Sequence, residues 1–310
     1  MMATDRDFDV IIIGAGSAGL SAALFTTREK LKTLLIERST FGGQIANAEA
    51  IENYPGLTES IRGIDLAVNM LDQIKPYGLQ TAFTEVEALR ADGRPFVVAT
   101  AMGAYTGKVV ILACGSSLKR LDVPGESAFE GRGVSYCATC DGAMFHDQEV
   151  GVVGGGDSAM DEALYLAELA TKVTVVHRSD HLRATQVLQE RAMAHPKIAW
   201  RWHTLVESIE GDAQVERLRL KDVRTGEGSL LPVAGVFIYV GLRPNTDFLH
   251  GVLPLDPGGH VVVNQRMETE LPGLYAAGDL RQYSARQVIS AAGDGATAAC
   301  FAMQYLRSIS

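Results

Sequence analysis

Two strand–glycine turn–helix–strand units, headed by Gly14 and Gly154, predict an α/β chain of two Rossmann-like dinucleotide-binding domains, each three-layer. A third observation places one inside the other. The strand-and-helix tail after Leu242 is too short to stand as a domain, so it is expected to return and complete the first. The expected division is 1–117 with 242–310 for a discontinuous first domain, and 118–241 for the inserted second. A length of 310 residues agrees with about two domains at ~150 residues each.

The first unit begins with the apolar strand Asp9 to Ile13 and runs straight into Gly14-Ala15-Gly16-Ser17-Ala18-Gly19. Gly14 permits the tight turn, Gly16 lets backbone approach a pyrophosphate, and Gly19 lets the helix pack on the strand. The helix start offers free N–H groups and a positive dipole end to phosphate, with Ser17 and Ala18 in its first turn. A second strand, Thr33 to Ile36, ends in Glu37 and Arg38. Glu37 lies 18 residues past Gly19, where a carboxylate accepts hydrogen bonds from a ribose diol.

The second unit repeats the design with strand Glu149 to Val153, the turn Gly154-Gly155-Gly156-Asp157-Ser158-Ala159 and the strand Val173 to Val176. Ala159 is a small residue that the third glycine position tolerates. This copy ends in His177-Arg178-Ser179-Asp180-His181-Leu182-Arg183 in place of an acid. Arg178 and Arg183 suit a 2′-phosphate, which a carboxylate there would repel. Two dinucleotide sites of different type in one chain mean that one cofactor hands electrons to the other.

Composition sets the outer limits. Hydrophobic residues make up 47% and charged residues 21%, as in soluble globular chains. A diffuse net charge of −9 leaves no footprint for nucleic acid or an anionic membrane. No run approaches the ~18–20 apolar residues of a membrane span. The start, MMATDRDFDV, lacks a basic n-region and an apolar h-region. The expected compartment is therefore the cytoplasm, where a functional disulfide is catalytic or regulatory.

Cys137-Ala138-Thr139-Cys140-Asp141-Gly142 lies just upstream of the second glycine turn. A C-x-x-C pair closes a small redox disulfide or supplies half of a tetrahedral zinc site. Its isolation from other cysteines favours redox chemistry, and no metal is expected. Cys114 and Cys300 read as plain small core residues. Asp141, beside Cys140, suits a general acid protonating a leaving thiolate, or a cap of the turn at Gly142.

Taken together, GAGSAG, CATCDG, GGGDSAMDEA, VHRSDHLRA and GLYAAGD resemble the low-molecular-weight thioredoxin reductases, in order and spacing from about Val10 to the C-terminus. The resemblance implies FAD in the first site and NADPH in the second, a homodimer, and thioredoxin or a thioredoxin-like disulfide protein as partner. It also implies a swing between domains that presents the disulfide and the nicotinamide to the flavin in turn. On this resemblance Cys140 faces the flavin, Cys137 attacks the partner disulfide and Asp141 is the acid. Gly42, Gly43, Gln44 and Asn53 hold the flavin and its ribityl chain. Gly278 and Asp279 of AAGD reach the ribityl hydroxyls, and Arg286-Gln287-Val288 lie beneath the pyrimidine edge. Gly154, Gly156, Asp157, Ser158, Ala159, His177, Arg178 and Arg183 hold the nicotinamide dinucleotide.

Two departures from that family pattern stand out. Ser179 takes the place of a second arginine, which weakens the case for NADPH and leaves NADH or another reductant open. Ala143 and Met144 replace aromatics that follow CDG, which alters the partner surface. Beside a disulfide reductase, the same residues leave open a dithiol oxidase or a flavin-bearing redox sensor.

Overall fold

The computed structural model describes residues 6–309. Residues 1–5, read above for the absence of a signal segment, and residue 310 lie outside the described residues. The chain forms two compact units, one comprising the residues up to Ser117 together with those from Arg243, the other Leu118–Leu242.

In the first unit, β1 (Asp7–Ile13), α1 (Ser17–Arg28), β2 (Thr33–Glu37), α2 (Gly63–Ile74) and β3 (Gln80–Phe83) build the parallel order β3-β2-β1. A meander follows, β4 (Val86–Arg90), β5 (Phe96–Thr100) and β6 (Gly103–Leu112), and β6 returns parallel to β1. The short β7 (Ser116–Leu118) then leaves the unit.

The second unit carries β8 (Val134–Ser135), α3 (Ala138–Asp141), β9 (Glu149–Gly154), α4 (Asp157–Leu169), β10 (Lys172–Val176), α5 (Gln186–Ala194) and β11 (Ile198–Arg201). After them come β12 (Thr204–Gly211), β13 (Val215–Asp222), β14 (Gly228–Pro232) and β15 (Gly235–Tyr239). Five of these strands form a parallel sheet, β11-β10-β9-β15-β8, and β12-β13-β14 form an antiparallel one. The chain returns through β16 (Leu242–Pro244), β17 (Leu274–Ala276), which pairs with the end of β6, and the long α6 (Val288–Ile309).

Both units are three-layered for the same reason. Each central strand is apolar on both faces, so each face needs a cover. In the first unit Val10, Ile12, Leu35 and Ile111 pack against Ala18, Leu20, Ala298 and Leu306 of α1 and α6. The alternate residues Ile11, Ile13, Ile36 and Leu112 pack against Phe96 and Val98 of the meander and Leu249, Leu253 and Val261 of the return segment. In the second unit Val150, Val152, Val175 and Phe237 meet Met160, Ala163 and Leu166 of α4. Val153, Val176, Val236 and Ile238 meet Ile209, Leu218, Leu220 and Leu231 of the antiparallel sheet. A helix therefore covers one face and a β-layer the other.

The two chain crossings run side by side, because β7 and β16 pair. At one end of this ribbon the Asn245 N–H donates to Gly115 O (3.0 Å), and at the other the Lys119 N–H donates to Gly241 O (2.9 Å).

Small residues set the closest helix contact. A Cβ added at Gly295 of α6 would lie 2.0 Å from Ala18 O of α1, whereas one at Gly293 meets nothing within 4 Å. Gly295→Val is expected to lower unfolding free energy by about 1–3 kcal/mol or more through overpacking. Gly293→Ala should hold or slightly raise it, since alanine favours a helix interior. Thermal melts of the two variants against wild type make the comparison.

Candidate functional site: two glycine-turn cradles and a redox disulfide

The first cradle forms where β1 meets α1. Gly14 has φ of 101°, and a Cβ on it would lie 2.4 Å from Ala113 O. Gly19 comes so near the turn that its Cβ would lie 1.8 Å from Gly14 O. Gly16 is the N-cap of α1, and no side chain caps the helix. The free N–H groups at the start of α1, with Ser17 and Ala18, therefore make an anion-binding end that fits a pyrophosphate. Glu37 is buried at the end of β2, where Oε2 accepts from the Ala15 N–H (2.8 Å) and Oε1 from the Ser39 N–H (2.9 Å). Oε1 also accepts from the Ser39 hydroxyl (3.4 Å), so Oε2 is the oxygen that keeps a lone pair for a diol, and Glu37 also braces the glycine turn. Arg38 turns outward to Glu85 at 3.5 Å.

Further segments of the first unit meet this turn or one another. The Gly42 N–H donates to Ala15 O (2.8 Å), and Gly42 and Gly43 adopt φ of 100° and 56°. Gln44 Nε2 donates to Ser116 O (3.2 Å), while the Ser116 hydroxyl donates to Asp279 O (3.1 Å). Asn53 Nδ2 donates to Gln287 Oε1 (3.1 Å), just before α6 begins at Val288. Burial pushes the Asp279 carboxyl upward, and its Oδ1 accepts from the Ser284 hydroxyl (2.9 Å). Arg286 holds φ of 56°, and its backbone N–H donates to Ser284 Oγ (3.1 Å).

Asp294 and Arg281 were missed in the sequence. Arg281 Nε and Nη2 meet Asp294 Oδ2 and Oδ1 at 2.6 and 2.9 Å, and the Gly278 N–H donates to Asp294 Oδ2 (3.1 Å). This pair pins the AAGD turn. The available signal was a lone carboxylate in an Ala/Gly-rich helix.

The second cradle repeats the first with one modification. A Cβ on Gly154 would lie 2.5 Å from Tyr239 O, and the Ala159 Cβ fills the small space beside it. Gly156, the N-cap of α4, again has no side-chain cap and meets nothing within 4 Å in its Cβ direction. Asp157 Oδ1 accepts from the Thr185 N–H (2.6 Å), and Ser158 is exposed beside it. A Cβ on Gly155 would meet the His177 ring at 2.5 Å.

His177 is buried, and its Nε2 lies 3.1 Å from His181 O and 2.9 Å from Ser179 Oγ. A carbonyl only accepts, so Nε2 carries the proton. The Ser179 hydroxyl donates its own proton to His181 O (2.9 Å), so its hydrogen is committed within the loop. Arg178 and Arg183 are exposed and make no ion pair among the described residues, while the Arg183 N–H donates to Gly155 O (2.7 Å). Trp202 stands edge-on to His177 at 6.2 Å and stacks on Trp200 at 4.8 Å.

The third element is covalent. Cys137 and Cys140 form a disulfide with Cα atoms 5.3 Å apart. Cys137 is the N-cap of α3, and its sulfur accepts from the Cys140 N–H (3.2 Å). Cys140 is exposed and Cys137 half-buried. Asp141 closes α3, and its side chain makes no capping bond to the turn that begins at Gly142. Its Oδ2 instead accepts from the Ser135 hydroxyl (2.6 Å), whose oxygen accepts from the Cys137 N–H (3.1 Å). Ser135, Glu162 and Tyr239 are further neighbours that the sequence did not disclose. The Ala138 N–H is shared between Glu162 Oε2 (3.1 Å) and the Tyr239 hydroxyl (3.2 Å). Cys114 and Cys300 are free, and burial pushes the Cys114 thiol up to about 12.

A helix-end cradle and a redox disulfide on one unit, with a second cradle on the other, define a disulfide oxidoreductase built on dinucleotide-type folds. The profile of the family described as pyridine nucleotide-disulphide oxidoreductase matches residues 8–295. Thioredoxin reductase of Treponema pallidum (strain Nichols) is 45% identical over 308 residues, covering 98% of this chain and 99% of that protein. The crystal structure of Lactococcus lactis thioredoxin reductase superposes with a TM-score of 0.95 at 41% identity, covering 97% of this chain and 99% of that one. That of T. acidophilum thioredoxin reductase gives 0.93 at 37%, covering 99% and 100%. The chain belongs to the thioredoxin reductases of the pyridine nucleotide-disulphide oxidoreductase family, and it is an oxidoreductase. Among the described residues no helix is long and apolar enough to cross a membrane.

His177 supplies a pH test. Burial, then the charges of Arg183 and Arg178, hold its ring below the usual 6.5. A depressed base favours folding only while neutral, so stability is full above pH 6.5 and falls as pH drops through that value toward the folded one. Wild type should lose thermal stability between about pH 7 and pH 5, and His177→Asn should flatten part of that loss. Equal slopes in the two proteins would assign the acid sensitivity elsewhere.

Proposed function

We propose that this chain is a cytoplasmic, homodimeric flavoprotein that reduces thioredoxin, or a thioredoxin-like disulfide protein, at the expense of NADPH. In this reading residues 1–117 and 242–310 form the FAD-binding domain, and residues 118–241 bind NADPH and carry the disulfide. The observation that carries it is the Cys137–Cys140 disulfide with Asp141 held beside it by Ser135. Bound FAD would supply two-electron transfer between a reduced nicotinamide and this disulfide.

The chain's own residues do the rest. The Gly14–Gly19 and Gly154–Ala159 turns bind pyrophosphates at helix ends, Glu37 takes a ribose diol, and Arg178 and Arg183 take a 2′-phosphate. Gly42, Gly43, Gln44, Asn53, Gly278, Asp279, Arg286 and Gln287 orient the flavin. Two electrons and two protons convert Cys137–Cys140 to the dithiol, with Asp141 delivering a proton to the sulfur of Cys140. The Cys137 thiolate then attacks the partner disulfide to give a mixed disulfide. Cys140 resolves it, restoring the intramolecular bond and releasing the partner as a dithiol.

Ser179 favours a second reading, an enzyme of this type served by another reductant or run as a dithiol oxidase. Its hydroxyl hydrogen is committed within the loop, so only two arginines face a 2′-phosphate.

Purified protein should be yellow, and Cys140→Ser should retain flavin while losing reduction of a protein disulfide. Normal turnover by that variant would overturn the mechanism. Anaerobic titration should bleach the flavin with NADPH in preference to NADH, and bleaching by neither would transfer support to the second reading. Arg178→Ala should raise the NADPH dissociation constant about tenfold, the cost of one charge-assisted contact, with little change for NADH.

A further inference from the structure

The Asp141 carboxyl and the Cys137 peptide share one hydroxyl. Ser135 ends β8 and is buried. Its Oγ accepts from the Cys137 N–H (3.1 Å). Its single hydrogen has two acceptors within reach, Asp141 Oδ2 at 2.6 Å and Cys137 O at 3.2 Å. Cys137 O in turn accepts from the Asp141 N–H (3.2 Å), so backbone and side chain of Asp141 both return to the same few atoms. The result is a closed ring that runs from the Cys137 peptide through Ser135 to Asp141 and back.

A serine oxygen has one proton to give and two lone pairs to receive. When Asp141 is a carboxylate, the hydroxyl donates to Oδ2 and the Cys137 N–H fills one lone pair. When Asp141 carries a proton on Oδ2, the carboxyl donates to the second lone pair and the hydroxyl turns to Cys137 O. Every donor has an acceptor in both states, so neither leaves a buried polar group unpaired. The titratable groups that face this ring are Tyr239 of β15, on which the Asp141 charge acts, and Glu162 of α4, which shares the Ala138 N–H with that phenol. The two cysteines are tied in the disulfide.

We propose that Ser135 is a positioning residue for Asp141, a hydroxyl that reverses its hydrogen bond so that the carboxyl keeps one place with and without its proton. The inference rests on the reading of Asp141 as the acid of the working disulfide. In that reading the carboxyl O–H bond breaks as the Cys140 S–H bond forms, and water restores the proton before the next turnover. Asp141 is only half-buried, so a carboxyl released by its partner at either stage is free to turn toward solvent. A partner for both forms spares the acid that search in each cycle.

Two measurements on the full-length flavin-loaded protein test this. In isotopically labelled aspartate the carboxyl carbon shift of Asp141, assigned by its loss in Asp141→Asn, reports which form is present, and the Hα–Hβ couplings report the χ1 rotamer. Over about pH 4 to 9, wild type should hold a single rotamer in every form observed. Ser135→Ala should average between rotamers. Averaging in wild type, or a single rotamer throughout in Ser135→Ala, overturns the proposal. The second measurement is steady-state reduction of a bacterial thioredoxin. Ser135→Ala should lower kcat about tenfold, the worth of one charge-assisted hydrogen bond, while KM for thioredoxin stays within about twofold. Ser135→Thr, which keeps the hydroxyl, should recover most of that loss. An unchanged kcat in Ser135→Ala, or an equal loss in Ser135→Thr, also overturns the role. Failure of the underlying reading shows differently, as an Asp141→Asn variant that turns over like wild type. The rotamer measurement needs no nicotinamide and no partner, so it decides the role of Ser135 in either case.

Discussion

Everything in this molecule depends on backbone touching backbone at the glycine turns. A side chain at Gly14, Gly19 or Gly154 would be driven into a carbonyl group, at 2.4, 1.8 and 2.5 Å respectively. Without those contacts α1 and α4 would stand off their sheets, and their uncapped first turns would not lie at the strand ends. The same approach delivers Glu37 to one turn and His177 to the other, each reaching back to the glycines from the end of the next strand. In one copy a carboxylate braces a peptide N–H; in the other an imidazole ring fills the space above Gly155.

Around α4 the second unit concentrates two tasks. The first turn of the helix offers free N–H groups, and its second turn carries Glu162 to the start of α3. Tyr239 joins them from the sheet beneath, so a single helix relates an anion-binding end to the redox segment. Ser135, on the short strand β8, ties Asp141 to the Cys137 peptide from the other side. The redox segment is thus held from one side by residues remote in sequence, Glu162 and Tyr239, and from the other by Ser135 just upstream of it.

This explains what was legible beforehand. Glycine turns, the C-x-x-C pair and the arginine loop are runs of adjacent residues, whose spacing carries their chemistry. The α/β class with parallel sheets followed from those runs and from strands apolar on both faces. Glu162 and Asp294 were opaque because each serves a peptide N–H 24 and 16 residues away, and the Arg281 partner of Asp294 lies outside its helix, 13 residues upstream. Ser179 was read as an absence, a missing cation. Its hydrogen bonds make it part of the loop's framework, and they fix the His177 tautomer. The β-layer covering the second face of each sheet was also unexpected, because alternation in a meander resembles many other edges.

The stacked indoles beside His177 have an optical consequence. The sequence contains only two tryptophans, Trp200 and Trp202, and both belong to the second unit. Indole emission of the chain therefore originates in one place, with parallel rings 4.8 Å apart acting as a coupled chromophore. Trp202 touches the arginine loop through His177, and there is no indole in the first unit to dilute the signal. The chain carries its own fluorescent reporter for that unit, independent of any added label.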